Sequence, residues 1–127
     1  MDWNDVDALQ TTGIFSIGAH TIGHEILSRL TDAEVRTEIR GSIDEVRRRA
    51  SRPTLTFAYP NGGSDDFDPR ARSALMDAGC PYAVSTIEGL NDSSTDRFAL
   101  RRVVLGGFDD LDAFQLRMAG VLPAARN

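Results

Sequence analysis

Apolar residues recur along the chain with two periods, one typical of helices and one typical of strands. Residues 3–12 carry Trp3, Val6, Leu9 and Gln10 at helical spacing, and Gly13 ends the predicted helix. The next apolar run, at 14–19, is short and rich in β-formers, which predicts a strand that leads into a histidine. The chain after a strand is where loops of α/β folds commonly carry chemistry.

A long helix is predicted to begin at a capping box formed by Thr31 and Glu34, in which each side chain can satisfy a backbone N–H of the other residue. Arginines 47–49 fall in its last turn, where cations favour the negative end of the helix dipole. We interpret this run as a solvated helix end rather than an anion site. The apolar stripe of the helix consists of Val35, Ile39, Ile43, Val46 and Ala50.

The rest of the chain continues the alternation of strand and helix. Pro69 favours a helix start, and Gly79 favours a helix end. The further predicted elements are strands at 55–58, 82–85 and 100–105, a helix at 69–79 and a last helix opened by Asp109 and Asp110. The positions expected to face inward are Ala71, Leu75, Met76 and Ala78 in the first helix and Leu111, Phe114, Met118 and Val121 in the second.

This order predicts an α/β fold, with a parallel sheet or barrel wall covered by helices. The 127 residues are enough for one domain with a core, and we expect a single domain over 1–127. The composition, 41% hydrophobic and 26% charged, is that of a soluble globular protein.

Composition also excludes several classes of function. The net charge of -5 argues against a nucleic-acid surface, because phosphate binding requires clustered cations. No apolar run approaches the length of a membrane span, and the acidic N-terminus does not resemble a signal peptide, so the compartment stays open. The single Cys80 can form no internal disulfide, and we expect a buried thiol.

The two histidines of the chain, His20 and His24, lie four residues apart. In the first turn of a helix this spacing would place both imidazoles on one face, where they could bind one cation. A catalytic zinc site usually takes three protein ligands, so the pair needs a third ligand from elsewhere.

Four segments, at 13–30, 57–62, 77–86 and 89–91, resemble the polysaccharide deacetylases of the NodB homology domain, carbohydrate esterase family 4. The most specific match is His20-Thr21-Ile22-Gly23-His24, which fits the family pattern His-(Ser/Thr)-x-x-His. The resemblance implies an incomplete (β/α) barrel and a divalent metal, usually zinc, held by both histidines and an aspartate. Thr21 would orient the imidazoles by tying their loop to a neighbouring one.

The segment at 57–62 resembles the family's third motif. The resemblance implies that the backbone amide of Asn61 binds the oxyanion, with Tyr59, Pro60 and Gly62 at the substrate. An ordinary strand-ending turn is the alternative interpretation. Many members carry an arginine where this chain has Ala58, and Arg102 is our candidate substitute.

The chain departs from the family pattern in its carboxylates. Members begin with Phe-Asp-Asp, which supplies the general base and the third metal ligand, but nothing in the residues before His20 reads Phe-Asp-Asp. We interpret Asp2, Asp5 and Asp7 as solvated carboxylates at a helix start. The Asp pairs at 65–66 and 109–110 follow the wrong strands to replace the motif. The late histidine that serves many members as general acid also has no counterpart.

Two hypotheses follow. In the first, the chain is a metal-dependent deacetylase domain that acts on N-acetylated or O-acetylated carbohydrate. In the second, it is an inactive, N-terminally truncated remnant. Because the lost first strand would leave sheet edges and apolar surface exposed, we expect a homo-oligomer.

Overall fold

The computed structural model describes residues 2–121. Helices and strands follow the predicted order, including two consecutive strands with no helix between them before the last helix. The elements are α1 (Trp3–Thr11), β1 (Ile17–Ala19), a 3-10 turn (Leu27–Arg29), α2 (Asp32–Arg49), β2 (Pro53–Ala58), α3 (Pro69–Asp77), β3 (Ala83–Glu88), β4 (Leu100–Arg102) and α4 (Leu111–Met118).

The four strands form one parallel sheet in the order β1-β2-β3-β4. Phe57 lies opposite Ala19 on one side and Ala83 on the other, so β1 and β2 end at about the same level while β3 begins there and continues beyond them. Because sequence order equals spatial order, the sheet is wound in one direction like the wall of a (β/α) barrel, without the reversal of doubly wound sheets. The predicted α/β class with parallel strands is confirmed.

The core lies between the sheet and α2, which packs against β1, β2 and α3. All five residues of the predicted α2 stripe are buried. The helix begins as predicted, since Thr31 Oγ1 accepts from Glu34 N while Glu34 Oε2 accepts from Thr31 N. These hydrogen bonds also hold the pKa of Glu34 below its ordinary value.

The arginines at the end of α2 have structural partners. Arg48 and Arg49 pair with Glu45 in the preceding turn, and Arg47 donates to the Ala78 carbonyl at 2.9 Å. These contacts agree with a solvated helix end. Asp2 and Asp5 form a capping box at the start of α1, as expected of first-turn carboxylates.

One inward position predicted for α3 and all four predicted for the last helix are wrong, for different reasons. Met76 is 52% exposed, because Ala71, Ala74 and Leu75 define the inner face of α3 and Met76 lies about 100° beyond Leu75. In α4 no residue is buried. The four positions predicted to face inward there, all exposed, are Leu111, Phe114, Met118 and Val121.

The prediction of a buried face on α4 is wrong because an apolar stripe shows which face of a helix could be buried, but burial also requires another surface to pack against it. Asp110 caps the helix as predicted, and Asp109 pairs with Arg117 across it. Within residues 2–121 nothing buries its apolar side chains. No helix in that range is long and apolar enough to cross a membrane.

Candidate active site at the ends of strands β1 and β2

The two histidines lie in a loop that leaves β1, and not in the predicted helical turn. Thr21 and His24 have φ angles of 62° and 59°, in the left-handed region, so the chain folds back on itself between them. The loop still brings the rings together, edge to face, with centroids 4.8 Å apart. Both side chains are exposed.

His20 is oriented by the strand next to it. Its Nδ1 lies 2.7 Å from the carbonyl oxygen of Ala58, at the end of β2. Because a carbonyl only accepts, Nδ1 carries the hydrogen, and the lone pair of a neutral ring is then on Nε2. This is the arrangement in which an outer hydrogen bond prepares a histidine for a metal.

The pair fits two positions of a metal shell. Two imidazole nitrogens on one tetrahedral ion, each about 2 Å from it, place the ring centroids about 5 Å apart, close to the separation in this loop. Within residues 2–121, however, no group of three histidine, cysteine, aspartate or glutamate side chains is arranged to hold a metal. The described chain therefore offers a two-ligand arrangement that needs a third donor.

The turn after β2 presents one free amide beside this loop. Tyr59 N donates to Val84, Gly62 N to the Pro60 carbonyl at 2.6 Å, and Gly63 N to Asp66 at 2.8 Å. Asn61, with φ 56°, is exposed, and its N–H has no acceptor among the described residues. This amide is the one that the family resemblance implies as the donor to the oxyanion.

Thr86 of β3 fixes the shape of this turn. Its hydroxyl donates to the Asn61 carbonyl at 2.6 Å, and its backbone N–H donates to the Gly62 carbonyl at 2.8 Å. Gly62 has φ 78°, and a Cβ there would lie 2.9 Å from Thr86 N. The sequence alone does not identify Thr86, because nothing about a threonine in a predicted strand shows which distant group its hydroxyl will contact.

Comparison with known proteins places these residues in a family. A family model described as polysaccharide deacetylase matches residues 1–83. The chain belongs to the polysaccharide deacetylase family. The match covers both the histidine loop and the turn after β2, and no curated protein matches the chain.

Two solved deacetylases share the fold. The Streptococcus pyogenes deacetylase PplD, solved in complex with acetate, matches 93% of this chain with a TM-score of 0.85 and 19% identity. A de-N-acetylase from Aggregatibacter actinomycetemcomitans matches 92% with a TM-score of 0.72 and 12% identity. The chain spans 50% and 53% of the length of these two proteins.

Two of the residues that the resemblance to deacetylases places at the substrate are buried, and so do not line the surface formed by the histidine loop and the turn after β2. Tyr59 is 2% exposed, its ring stacks on Phe67, and its hydroxyl donates to the Phe98 carbonyl at 2.8 Å. This burial raises the pKa of Tyr59 above its ordinary value. Pro60 is buried as well. The turn after β2 therefore exposes Asn61, while the side chains of Tyr59 and Pro60 pack into the core.

Arg102 lies on β4, three strands from β1 in sheet order, and the structure does not pair it with the histidine loop. Its role beside a deacetylase carboxylate stays a prediction. The Asp pairs have other partners, as expected: Asp66 accepts from Gly63 N, and Asp109 holds Arg117.

Glu38, and not Thr21, ties the histidine loop to a neighbouring element. The Thr21 hydroxyl donates to the carbonyl of its own neighbour His20 at 2.6 Å, so it makes no tie to another loop. Glu38 of α2 accepts from Ile22 N and Gly23 N instead. Sequence reasoning missed Glu38, because one glutamate on the polar face of a charged helix carries no distinguishing signal.

Proposed function

We propose that this chain forms the histidine-bearing part of a metal-dependent carbohydrate deacetylase, which hydrolyses acetyl groups from N-acetylated or O-acetylated sugars. The observation that carries the proposal is the juxtaposition at the ends of β1 and β2. There, two exposed imidazoles lie side by side, one is oriented by Ala58, and the free amide of Asn61 follows three residues later. Membership in the polysaccharide deacetylase family supports the same chemistry.

His20 and His24 would hold the divalent metal, with zinc favoured by imidazole donors. A metal at this position supplies Lewis acidity toward the acetyl carbonyl and lowers the pKa of water. The hydrogen bond from His20 Nδ1 to Ala58 keeps Nε2 available. The proposal assigns the third ligand and the general base to carboxylates outside the described residues, since none of those residues joins the pair.

Asn61 would stabilise the negative charge that develops on the acetyl oxygen, by donating its unpaired N–H. Thr86 holds the carbonyl of Asn61 and so fixes the direction of the turn before substrate arrives. Gly62 is buried and the position of its absent Cβ faces Thr86, so its small size lets β3 approach the turn. Arg102 stays the candidate for orienting a catalytic carboxylate.

The alternative is a catalytically inactive fragment or remnant that folds as the same wall of a barrel, does not complete the metal shell and self-associates through the edges of its sheet. The observation that favours it is the absence of a third metal ligand from residues 2–121. Both alternatives predict little acetate release from acetylated chitooligosaccharides by this chain alone. Robust metal-dependent release would show that a carboxylate of this chain acts as the base.

Substrate contact is tested by amide NMR on the ¹⁵N-labelled chain with Zn²⁺ present. Acetylated chitotriose should shift the Asn61 and Gly62 amide signals, whereas the fully deacetylated trimer, the matched control, should not, because only the acetyl group offers the carbonyl. Unchanged Asn61 signals with both trimers would contradict the proposed function.

A further inference from the structure

The histidine loop is anchored by one carboxylate of α2. Glu38 Oε2 accepts from Ile22 N at 2.7 Å and from Gly23 N at 2.8 Å. These are the two central amides between His20 and His24, and the Glu38 side chain is half-buried beneath them. Hydrogen bonds to an ionised acceptor are stronger than neutral ones, so this contact restrains the middle of the loop.

The residues flanking these two amides are held in an unfavourable backbone conformation. Thr21 and His24 both have positive φ, which costs free energy in residues other than glycine and persists where the surroundings enforce it. The hydroxyl of Thr21 bonds within the loop, so it does not supply that restraint. The Glu38 carboxylate contacts the segment between the two strained residues and can supply it.

Gly41, one turn after Glu38 on α2, provides a second contact to the same segment. A Cβ added at Gly41 would overlap the Cδ1 atom of Ile22. Glycine inside a helix is unfavourable relative to alanine, so its place here has a packing reason. Ile22 is 62% exposed, and its terminal Cδ1 atom lies over the notch that the missing Cβ leaves, next to the amides that Glu38 binds.

We propose that Glu38 and Gly41 together dock the histidine loop on α2 and thereby set both imidazoles toward one cation. Glu38 is a positioning residue, because it contacts the loop backbone and no imidazole. The proposal rests on the proposed function for its metal, but the docking itself concerns this chain without metal. No family motif that the sequence shows includes either residue.

The first test needs no metal or substrate. Because the chain has two histidines, a long-range ¹H–¹⁵N spectrum of the imidazoles reports each ring separately. In the parent protein, His20 should show the tautomer with hydrogen on Nδ1. Glu38→Ala should shift His20 toward an average of both tautomers. Glu38→Gln, whose amide oxygen can still accept, should stay near the parent.

The second test is calorimetric titration with Zn²⁺ alone. Glu38→Ala should weaken binding about 10-fold to 100-fold, the usual effect of losing an outer-shell partner of a metal site. Glu45→Ala is the matched control, because Glu45 lies on the same helix and pairs with Arg48 and Arg49 away from the loop. It should bind Zn²⁺ like the parent.

Gly41→Ala tests the notch independently of Glu38. It should disturb both histidine signals, and adding Ile22→Ala should restore them by removing the overlap. If Glu38→Ala does not fold, the same spectra of Glu38→Gln, of Gly41→Ala and of Gly41→Ala with Ile22→Ala test whether the loop docks on α2. A folded Glu38→Ala protein with the parent's His20 tautomer and Zn²⁺ affinity would overturn the docking. If the parent binds no Zn²⁺, the metal role in the proposed function fails, while the metal-free spectra still decide the docking.

Discussion

Three residues other than glycine have left-handed backbone in the described chain, and all three lie at the candidate site. They are Thr21 and His24 in the histidine loop and Asn61 in the turn after β2. Strained conformations of this kind persist only where surrounding contacts enforce them, here Glu38 for the loop and Thr86 for the turn. At the residue scale, the site is therefore pre-organised by its backbone.

Gly62 is the residue at which this pre-organisation is most directly testable. Gly62→Ala should lower the free energy of unfolding by about 1–3 kcal/mol, because its φ is 78° and a Cβ would approach Thr86 N. Urea denaturation measures the change. Gly107→Ala is the matched control, since a Cβ there meets nothing within 4 Å, and it should change stability by less than about 0.5 kcal/mol. Equal effects of the two variants would contradict the claim that close packing against Thr86 requires glycine at position 62.

Cys80 gives a second prediction for a single residue. The thiol is buried and donates to the Tyr82 carbonyl, and burial raises the pKa of Cys80 above its ordinary value. Because the thiolate is the reactive form, native protein should react very slowly with a thiol reagent at pH 8. The urea-unfolded chain is the control and should react at once. Fast labelling of the native protein would show that this thiol is accessible.

At the scale of elements, burial decides which sequence patterns succeed. The stripe of α2 has β1, β2 and α3 to pack against, so its periodicity predicts its buried face correctly. The same kind of stripe in α4 has no such surface within residues 2–121, and the prediction fails. The spacing of His20 and His24 predicts a helical turn, but both residues lie in a loop, with left-handed backbone at Thr21 and His24. Spacing identifies the two histidines but not the tertiary contacts, such as that of Glu38, that shape their loop.

The contact between the turn after β2 and the segment before β4 depends on the Tyr59 hydroxyl. Burial raises the pKa of Tyr59 in the folded state, so its contribution to stability is complete below the unfolded value of about 10 and is lost as the pH rises further. The free energy of unfolding should therefore fall as the pH rises above about 10, which urea titrations at a series of pH values on both sides of that point measure.

Tyr59→Phe should remove much of this alkaline loss. At pH 8 it should cost about 1 kcal/mol, because the hydrogen bond to the Phe98 carbonyl is absent. Tyr82→Phe changes an exposed tyrosine and is the matched control, so it should keep the parent's pH dependence. A Tyr59→Phe protein with the parent's alkaline slope would contradict the assignment.

At the scale of the whole molecule, β1 and β4 are the outer strands of the sheet within residues 2–121, and α4 exposes its apolar side chains. Such surfaces favour association. We predict that the chain forms a dimer or higher oligomer at tens of micromolar, measured by light scattering against the monomer mass of 13.9 kDa. Leu111→Glu with Met118→Glu, on one face of α4, should shift the mass toward monomer, whereas Met76→Glu on α3 should not. A monomeric mass for the parent protein would contradict this prediction.

The central claim is that His20 and His24 act together as metal ligands, and calorimetric titration with Zn²⁺ tests it most directly. The parent should bind one Zn²⁺ weakly, since two imidazoles provide only part of a shell, and His20→Ala and His24→Ala should each abolish measurable binding. Glu45→Ala, whose carboxylate pairs with Arg48 and Arg49 near the end of α2, should leave the affinity unchanged. Zn²⁺ binding by His20→Ala as tight as that of the parent would contradict the account.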